Sequence, residues 1–418
     1  MHLELTTDRT VIRAAHRSTR YVQCHLTAPT LAQAQPRRPL DLALVLDRSG
    51  SMAGHKLERA AAAAQATLNH LDQQDRVALV VYDDQVDTLV ELLPVEDRTR
   101  QRVTDALAML DSGGSTNLSG GWLTGCGLVG QPSEDQRLHR CFLLTDGMAN
   151  EGIIAPDELS HHGRQLRQLG VVTSTFGLGD DYDESLLGSL ADACGGSFYD
   201  IARAESLQSV LHKELGDALA IVGNDIRLRI QWKGDFRVQG LGAWTSEYTP
   251  GQLTLHIGDL VSAQMLDVML AVQFPTGAIG STQQLSVEVW EGDTLKVPAQ
   301  TLTWTADRNS VNNIQPRERS VDRLVARYYA HHARAQATNL NRQGKLEQAR
   351  ILLAAVAERI QSYAGDDPEM NQLLVDLCQE AEKHRHRRSS RDLKEEYHRS
   401  YSQRRGRDAF GERLRDSV

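Results

Sequence analysis

Leu40-Asp41-Leu42-Ala43-Leu44-Val45-Leu46-Asp47-Arg48-Ser49-Gly50-Ser51 decides how this chain reads. Residues 42–46 form a continuous apolar run, the pattern of a central parallel strand covered on both faces. Where that strand should end, a carboxylate and two hydroxyls occupy every second position. Oxygen donors gathered at a strand terminus suit a hard divalent cation. The rest of the chain must then supply the missing ligands.

Downstream, strands and helices alternate. Leu57, Ala61, Ala64, Leu68 and Leu71 follow helical spacing. Val77 to Tyr82 is a second buried strand. Only Asp83-Asp84-Gln85 separates it from the next run, Val86 to Leu93, which implies a hairpin and one antiparallel edge strand. Helices are expected over 97–110 and 119–130, then a strand over Cys141–Thr145. Pro156 opens a helix that runs to Leu169. A strand (171–178), a helix (183–194), a short strand (197–201) and a helix (205–220) complete the set. The fold class is therefore α/β, a doubly wound, mostly parallel sheet over residues 39–221.

The flanks differ. Residues 1–38 alternate loosely, and period two returns over 222–308, as in Ile226–Ile230, Leu253–Ile257, Met269–Val272, Leu285–Val289 and Leu302–Trp304. This predicts an antiparallel β-sandwich. The N-terminal strands are too few to stand alone, so they join that sandwich and the α/β unit becomes an insertion. Residues 317–383 carry helical stripes, with Asp367 and Pro368 opening one helix. Residues 344–350 look like a tetratricopeptide helix, but one unit does not make a solenoid, and a small helical bundle is expected. Residues 384–418 read as a basic, flexible tail.

Composition narrows the function classes. The 418 residues carry a formal charge of −9, with 5% aromatics. Residues 383–418 hold 12 Lys/Arg against 6 Asp/Glu, so this end is at +6 and the remainder at −15. The overall negative charge disfavours nucleic acid as a partner, although the basic end departs from that average. Cys24, Cys126, Cys141, Cys194 and Cys378 are scattered and odd in number, as for free thiols in a reducing compartment. No apolar window suits a membrane span, and Met1 to Arg20 lack a signal-peptide core. A cytoplasmic protein is expected.

In open α/β sheets, ligands bind at the carboxyl ends of strands. Three such ends carry oxygen here. Asp47, Ser49 and Ser51 follow the first strand, Asp146 and Gly147 follow Thr145, and Thr116 sits in the glycine-rich loop 112–118. In that order and at those places, the three motifs resemble those of a von Willebrand factor type A domain and its metal ion-dependent adhesion site. The resemblance implies that Ser49, Ser51 and Thr116 ligate through hydroxyls. Asp47 and Asp146 would ligate directly or through water. It implies Mg²⁺, with Mn²⁺ or Ca²⁺ as alternatives, and a protein partner that presents Asp or Glu to the ion.

Other features read more plainly. Arg48 is a solvated charge or a second contact to the incoming acid. The acidic run 179–184 precedes a helix, whose dipole favours it. Asp83 and Asp84 belong to a turn. His161-His162 and His331-His332 lie on solvated helix faces, and His384 and His386 fall in the basic tail. No nucleophile motif, phosphate loop or His near the three loops points to an enzyme. The layout is similar to bacterial cytoplasmic type A proteins and, distantly, to inter-alpha-trypsin inhibitor heavy chains and integrins. Two alternatives follow from the same resemblance. One is an accessory subunit of an AAA+ ATPase of the MoxR or chelatase kind. The other is an RNA-associated type A protein.

Overall fold

The computed structural model of the protein describes residues 1–31, 37–131, 137–404 and 413. The chain divides into two units, one of residues 33–220 and one of residues 1–32 with 221–418. It opens with β1 (His2–Thr7), β2 (Val11–Arg13) and β3 (Ser18–Thr27), which belong to the second, discontinuous unit.

The continuous unit begins with β4 (Leu40–Asp47), every residue of which is buried. Then come α1 (His55–Leu68), β5 (Arg76–Tyr82), β6 (Val86–Pro94), α2 (Asp97–Ala108), α3 (Leu118–Val129), β7 (Leu138–Thr145), α4 (Pro156–Gln168), β8 (Val171–Leu178), α5 (Glu184–Cys194), β9 (Phe198–Ile201) and α6 (Leu207–Leu219). The sheet order is β6-β5-β4-β7-β8-β9. All neighbours are parallel except β5 and β6. Strand order reverses between β4 and β7, so the switch-point crevice opens at the ends of those two strands. Asp47 and Thr145 are their last residues.

Local chemistry explains the joints. Gly54 leads into α1 at φ +76°, ψ −133°, a conformation open to glycine alone. Asn117 caps α3 by accepting from Gly120 N at 3.0 Å. Asp183 caps α5 by accepting from Ser185 N and Leu186 N. The acidic run 179–184 thus serves a helix terminus.

At the opposite end of the sheet, β4 is anchored by a buried carboxylate. Asp41 is fully buried and accepts from Arg76 Nε at 2.8 Å and Arg137 Nε at 2.7 Å, with His139 Nδ1 3.3 Å away. Burial alone would raise its pKa. Hydrogen bonds from Arg76, His139 and Arg137 outweigh burial and hold the carboxyl well below the usual range. A depressed folded pKa means stability that is present above the unfolded value, near pH 4, and lost as pH falls below it. Asp41→Asn is expected to destabilise this unit by about 3 kcal/mol at pH 7, because it removes the buried negative charge that Arg137 and the partly exposed Arg76 share. The difference from wild type should shrink below about pH 4, as read by urea melts across pH.

The discontinuous unit resumes with β10 (Ile221–Trp232), β11 (Arg237–Leu241), β12 (Thr245–Thr249), β13 (Gln252–Val261), β14 (Met265–Phe274), β15 (Thr282–Glu291) and β16 (Thr294–Asp307). One sheet runs β1-β3-β14-β11, the other β12-β13-β10-β15-β16-β2. Pairing is antiparallel except for β16 with β2. Between the sheets lies an apolar core that includes Leu26, Ile230, Val268, Phe274 and Trp304. Four aromatics chain through it, from Trp232 to Phe236, Phe274 and Trp304.

Helices α7 (Asn309–Ile314), α8 (Arg319–Arg342), α9 (Leu346–Ala364), α10 (Pro368–Lys383) and α11 (Ser390–Arg404) follow. Val321 and Val325 of α8 cover the outer face of the smaller sheet at Tyr21, Leu241 and Met269. Small residues of α8, Ala326, Ala330, Ala333 and Ala337, meet Leu353, Ala357 and Ile360 of α9.

The expectation of a flexible tail from residue 384 is corrected by α11. This helix packs on α8 and buries Leu393, Tyr397 and Tyr401. Those residues recur every fourth position, an apolar stripe within a charged segment. His384 is likewise no part of a disordered run. It is fully buried and accepts at Nδ1 from Asn341 Nδ2 at 3.0 Å. Residues 405–412 and 414–418 of the expected tail lie outside the described residues.

Candidate metal centre

The five residues singled out from the sequence converge at the switch point. Asp47 ends β4 and is fully buried, as is Asp146, the residue after β7. The Asp47 carboxylate accepts from Ser49 N at 2.8 Å and from Thr145 Oγ1 at 2.6 Å. Burial pushes its pKa up to about 6, against hydrogen bonds from Ser49 and Thr145 that lower it. The nearby charge of Asp146 adds to the rise. Two carboxylates out of water at one place call for a compensating cation.

The hydroxyls are arranged by backbone. Arg48 N donates to Tyr82 O at 2.8 Å, and Gly113 N to Arg48 O at 2.9 Å. Gly50 N donates to Gly114 O at 3.1 Å. These bonds lay the segment after β4 beside the glycine-rich loop, and Gly113 bridges to Ser49. Ser49 Oγ then stands 3.2 Å from Ser51 Oγ, and Ser51 Oγ donates to Asp146 Oδ1 at 2.6 Å. Thr116 is buried, its N–H bound to Asn150 Oδ1 at 2.8 Å. Its carbonyl accepts from Asn150 N and Glu151 N. A Cβ added at Gly147 would stand 3.3 Å from Ser51 Oγ and 3.4 Å from Thr116 Oγ1. Glycine there keeps the space beside both hydroxyls clear.

This donor set fits a small hard cation. Neighbouring ligands of an octahedral Mg²⁺, at about 2.1 Å from the ion, lie about 3 Å apart, close to the Ser49–Ser51 spacing. Three neutral hydroxyls and two carboxylates match a charge of +2 without excess. Ser49 and Thr116 are buried while Ser51 is exposed, so the cluster opens to solvent on one side. Among the described residues, no three His, Cys, Asp or Glu side chains gather as an alternative metal nest.

Several neighbours went unread in the sequence. Lys56, in the first turn of α1, forms an ion pair with Asp146 Oδ2. No local pattern marks it, because its partner lies 90 residues away in the sequence. Thr145, directly before Asp146, holds Asp47 in place. Asp83 and Asp87 engage Arg48, at 3.1 and 2.6 Å. The solvated reading of Arg48 is therefore corrected, and Asp83 has a role beyond the turn. Its buried position beside Gly113 brought a charge partner to Arg48 from the neighbouring strand end.

The model for the von Willebrand factor type A domain matches residues 41–213, the span that contains all three loops. Residues 41–213 are a von Willebrand factor type A domain. Over that domain the chain is similar to the uncharacterized protein YfbK of Escherichia coli, 28% identical over 210 residues, which is 50% of this chain and 35% of that protein. It is also similar to human inter-alpha-trypsin inhibitor heavy chain H3, 27% identical over 173 residues, or 40% of this chain and 19% of the other. The chain thus spans well under half the length of these curated relatives. Beyond the type A domain, a solved von Willebrand factor type A protein from Catenulispora acidiphila superposes with a TM-score of 0.70 at 15% identity. That match covers 89% of this chain and 88% of the other. At that identity the likeness concerns the fold, which extends past the type A domain in both chains. Among the described residues, no helix is long and apolar enough to cross a membrane.

Proposed function

We propose that the type A domain is a metal-dependent protein-interaction module. Asp47, Ser49, Ser51, Thr116 and Asp146 would hold the ion, with Mg²⁺ best suited and Mn²⁺ or Ca²⁺ as substitutes. A bound ion would supply an electrophilic position for the Asp or Glu side chain of a partner protein. The observation that carries this reading is the pair of hydroxyls 3.2 Å apart above two fully buried carboxylates.

The residues themselves do the preparatory work. Thr145 and the Ser49 N–H fix the Asp47 carboxylate. Ser51 orients Asp146, and the Asn150 clasp holds Thr116. The serine hydroxyls are bound into this cluster, and among the described residues no imidazole hydrogen-bonds to it, which favours binding over catalysis. Four buried free thiols, Cys24, Cys126, Cys141 and Cys194, support a reducing, cytoplasmic setting.

The test is capture from native lysate on the immobilised full chain in Mg²⁺, compared with EDTA and with Asp47→Ala. Partners lost in both controls, and eluted by free glutamate or acetate, are expected. Capture that is indifferent to metal removal would sink the proposal.

A further inference from the structure

We infer that Lys56 is a tethered cation that weakens the site's hold on its metal and strengthens its hold on the partner's carboxylate. The inference rests on the reading of the cluster as a divalent-cation site.

The ammonium of Lys56 pairs with Oδ2 of Asp146, a fully buried carboxylate whose other oxygen accepts from Ser51. The Lys56 side chain is 33% exposed, so its stem is largely covered. A Cβ added at Gly179 would lie 3.6 Å from Lys56 Cε and 3.7 Å from Nζ. The loop after β8 therefore runs beside the end of the Lys56 side chain. Arg48, the other cation of this loop region, is engaged by Asp83 and Asp87 and belongs to a different ion pair.

The charge balance then differs from the one the five ligands suggest. Asp47 and Asp146 contribute two negative charges, and Lys56 returns one. Before an ion enters, the cluster stands at −1 rather than −2, so a divalent cation is attracted less. With the ion in place it stands at +1 rather than zero, so an incoming carboxylate is attracted more. One residue thus pushes two affinities in opposite directions. A strut that merely held α1 against β7 would not do so. Loss of a strut loosens the ligand cradle, and both affinities fall together.

The experiment uses the full chain, wild type and Lys56→Gln, with Lys56→Arg as the charge-preserving variant. Mn²⁺ is titrated and its free fraction read by electron paramagnetic resonance. Acetate is then titrated into the Mn²⁺-loaded protein and followed by water-proton relaxation. Lys56→Gln is expected to bind Mn²⁺ about tenfold tighter and acetate about tenfold weaker at low ionic strength, with Lys56→Arg close to wild type. Affinities that both fall in Lys56→Gln, or that both stay put, overturn the assignment of Lys56 while leaving the metal site standing. A wild-type chain that takes up no Mn²⁺ overturns the metal site, and the Lys56 assignment falls with it.

Discussion

If the proposed metal site holds, Mg²⁺ is expected to raise the thermal stability of this protein, and Asp47→Asn is expected to erase that gain without destabilising the metal-free form. The wild-type carboxylate is fully buried, and burial has already pushed its pKa up to about 6. Its negative charge is therefore a burden to the empty site and an asset only when a cation shares the space. A ligand at a hundred times its Kd stabilises the native state by about 2.7 kcal/mol. For a domain of this size that is a Tm rise of roughly 5–10 °C. Asparagine can keep the hydrogen bond from Ser49 N and can pair with the Thr145 hydroxyl, so the local frame survives. It lacks the charge. Scanning calorimetry with and without Mg²⁺ should show the rise in wild type and none in the variant, with the metal-free Tm equal or higher. A variant that still gains several degrees from Mg²⁺ would remove Asp47 from the ligand set.

The second large effect lies on α3, the helix that begins two residues after Thr116. A Cβ at Gly121 would stand 2.4 Å from Tyr82 Cδ1 and 2.9 Å from Tyr82 Cβ. A Cβ at Gly125 would stand 2.3 Å from Val45 Cγ2. The helix therefore lies closer to β4 and β5 than any side chain allows. Tyr82 cannot swing away, since it is fully buried and its hydroxyl donates to Leu144 O at 3.2 Å. Gly121→Val should cost about 3 kcal/mol through overpacking, and a displaced α3 should carry Thr116 out of position and weaken cation binding. Gly127 is the internal control. It lies on the same helix with nothing within 4 Å of an added Cβ. Gly127→Ala should raise stability by about 0.5–1 kcal/mol. Opposite signs from two glycines six residues apart, in parallel denaturant melts, separate packing from helix propensity. Equal signs would contradict the close approach.

Much of this was legible from local pattern. Residues 42–46 can be apolar throughout only where both faces are covered, and β4 is buried along its whole length. The three-residue gap after Tyr82 allowed only a hairpin, and β6 pairs antiparallel with β5. Asp47, Ser49, Ser51, Thr116 and Asp146 announced themselves because each sits at or just past a strand end or in a glycine loop. What pattern did not carry was pairing across distance. Lys56 looks like an ordinary surface lysine of α1 until β7 brings Asp146 beside it. Arg48 looks solvated until the β5–β6 turn brings Asp83. In α11, net charge hid a stripe of Leu393, Tyr397 and Tyr401, because a mean over a segment is blind to which face each residue occupies.

The pairing of β3 with β14 has a bearing on how the chain comes into being. Gln23 and Asp267, bonded across those strands, are 244 residues apart. A ribosome releases the chain from its first residue, and local or contiguous units can close as they emerge. The type A domain is contiguous, so its six strands are all present before β14 exists. The first strands of the sandwich must therefore wait, unpaired on their β14 side, while a complete domain folds after them. The sandwich closes late, when long-range contacts finally repay the loop closed to reach them. Residues 1–31, a β-rich stretch with three histidines and no lysine, are thus the part of the sandwich that stays longest without its partner strand.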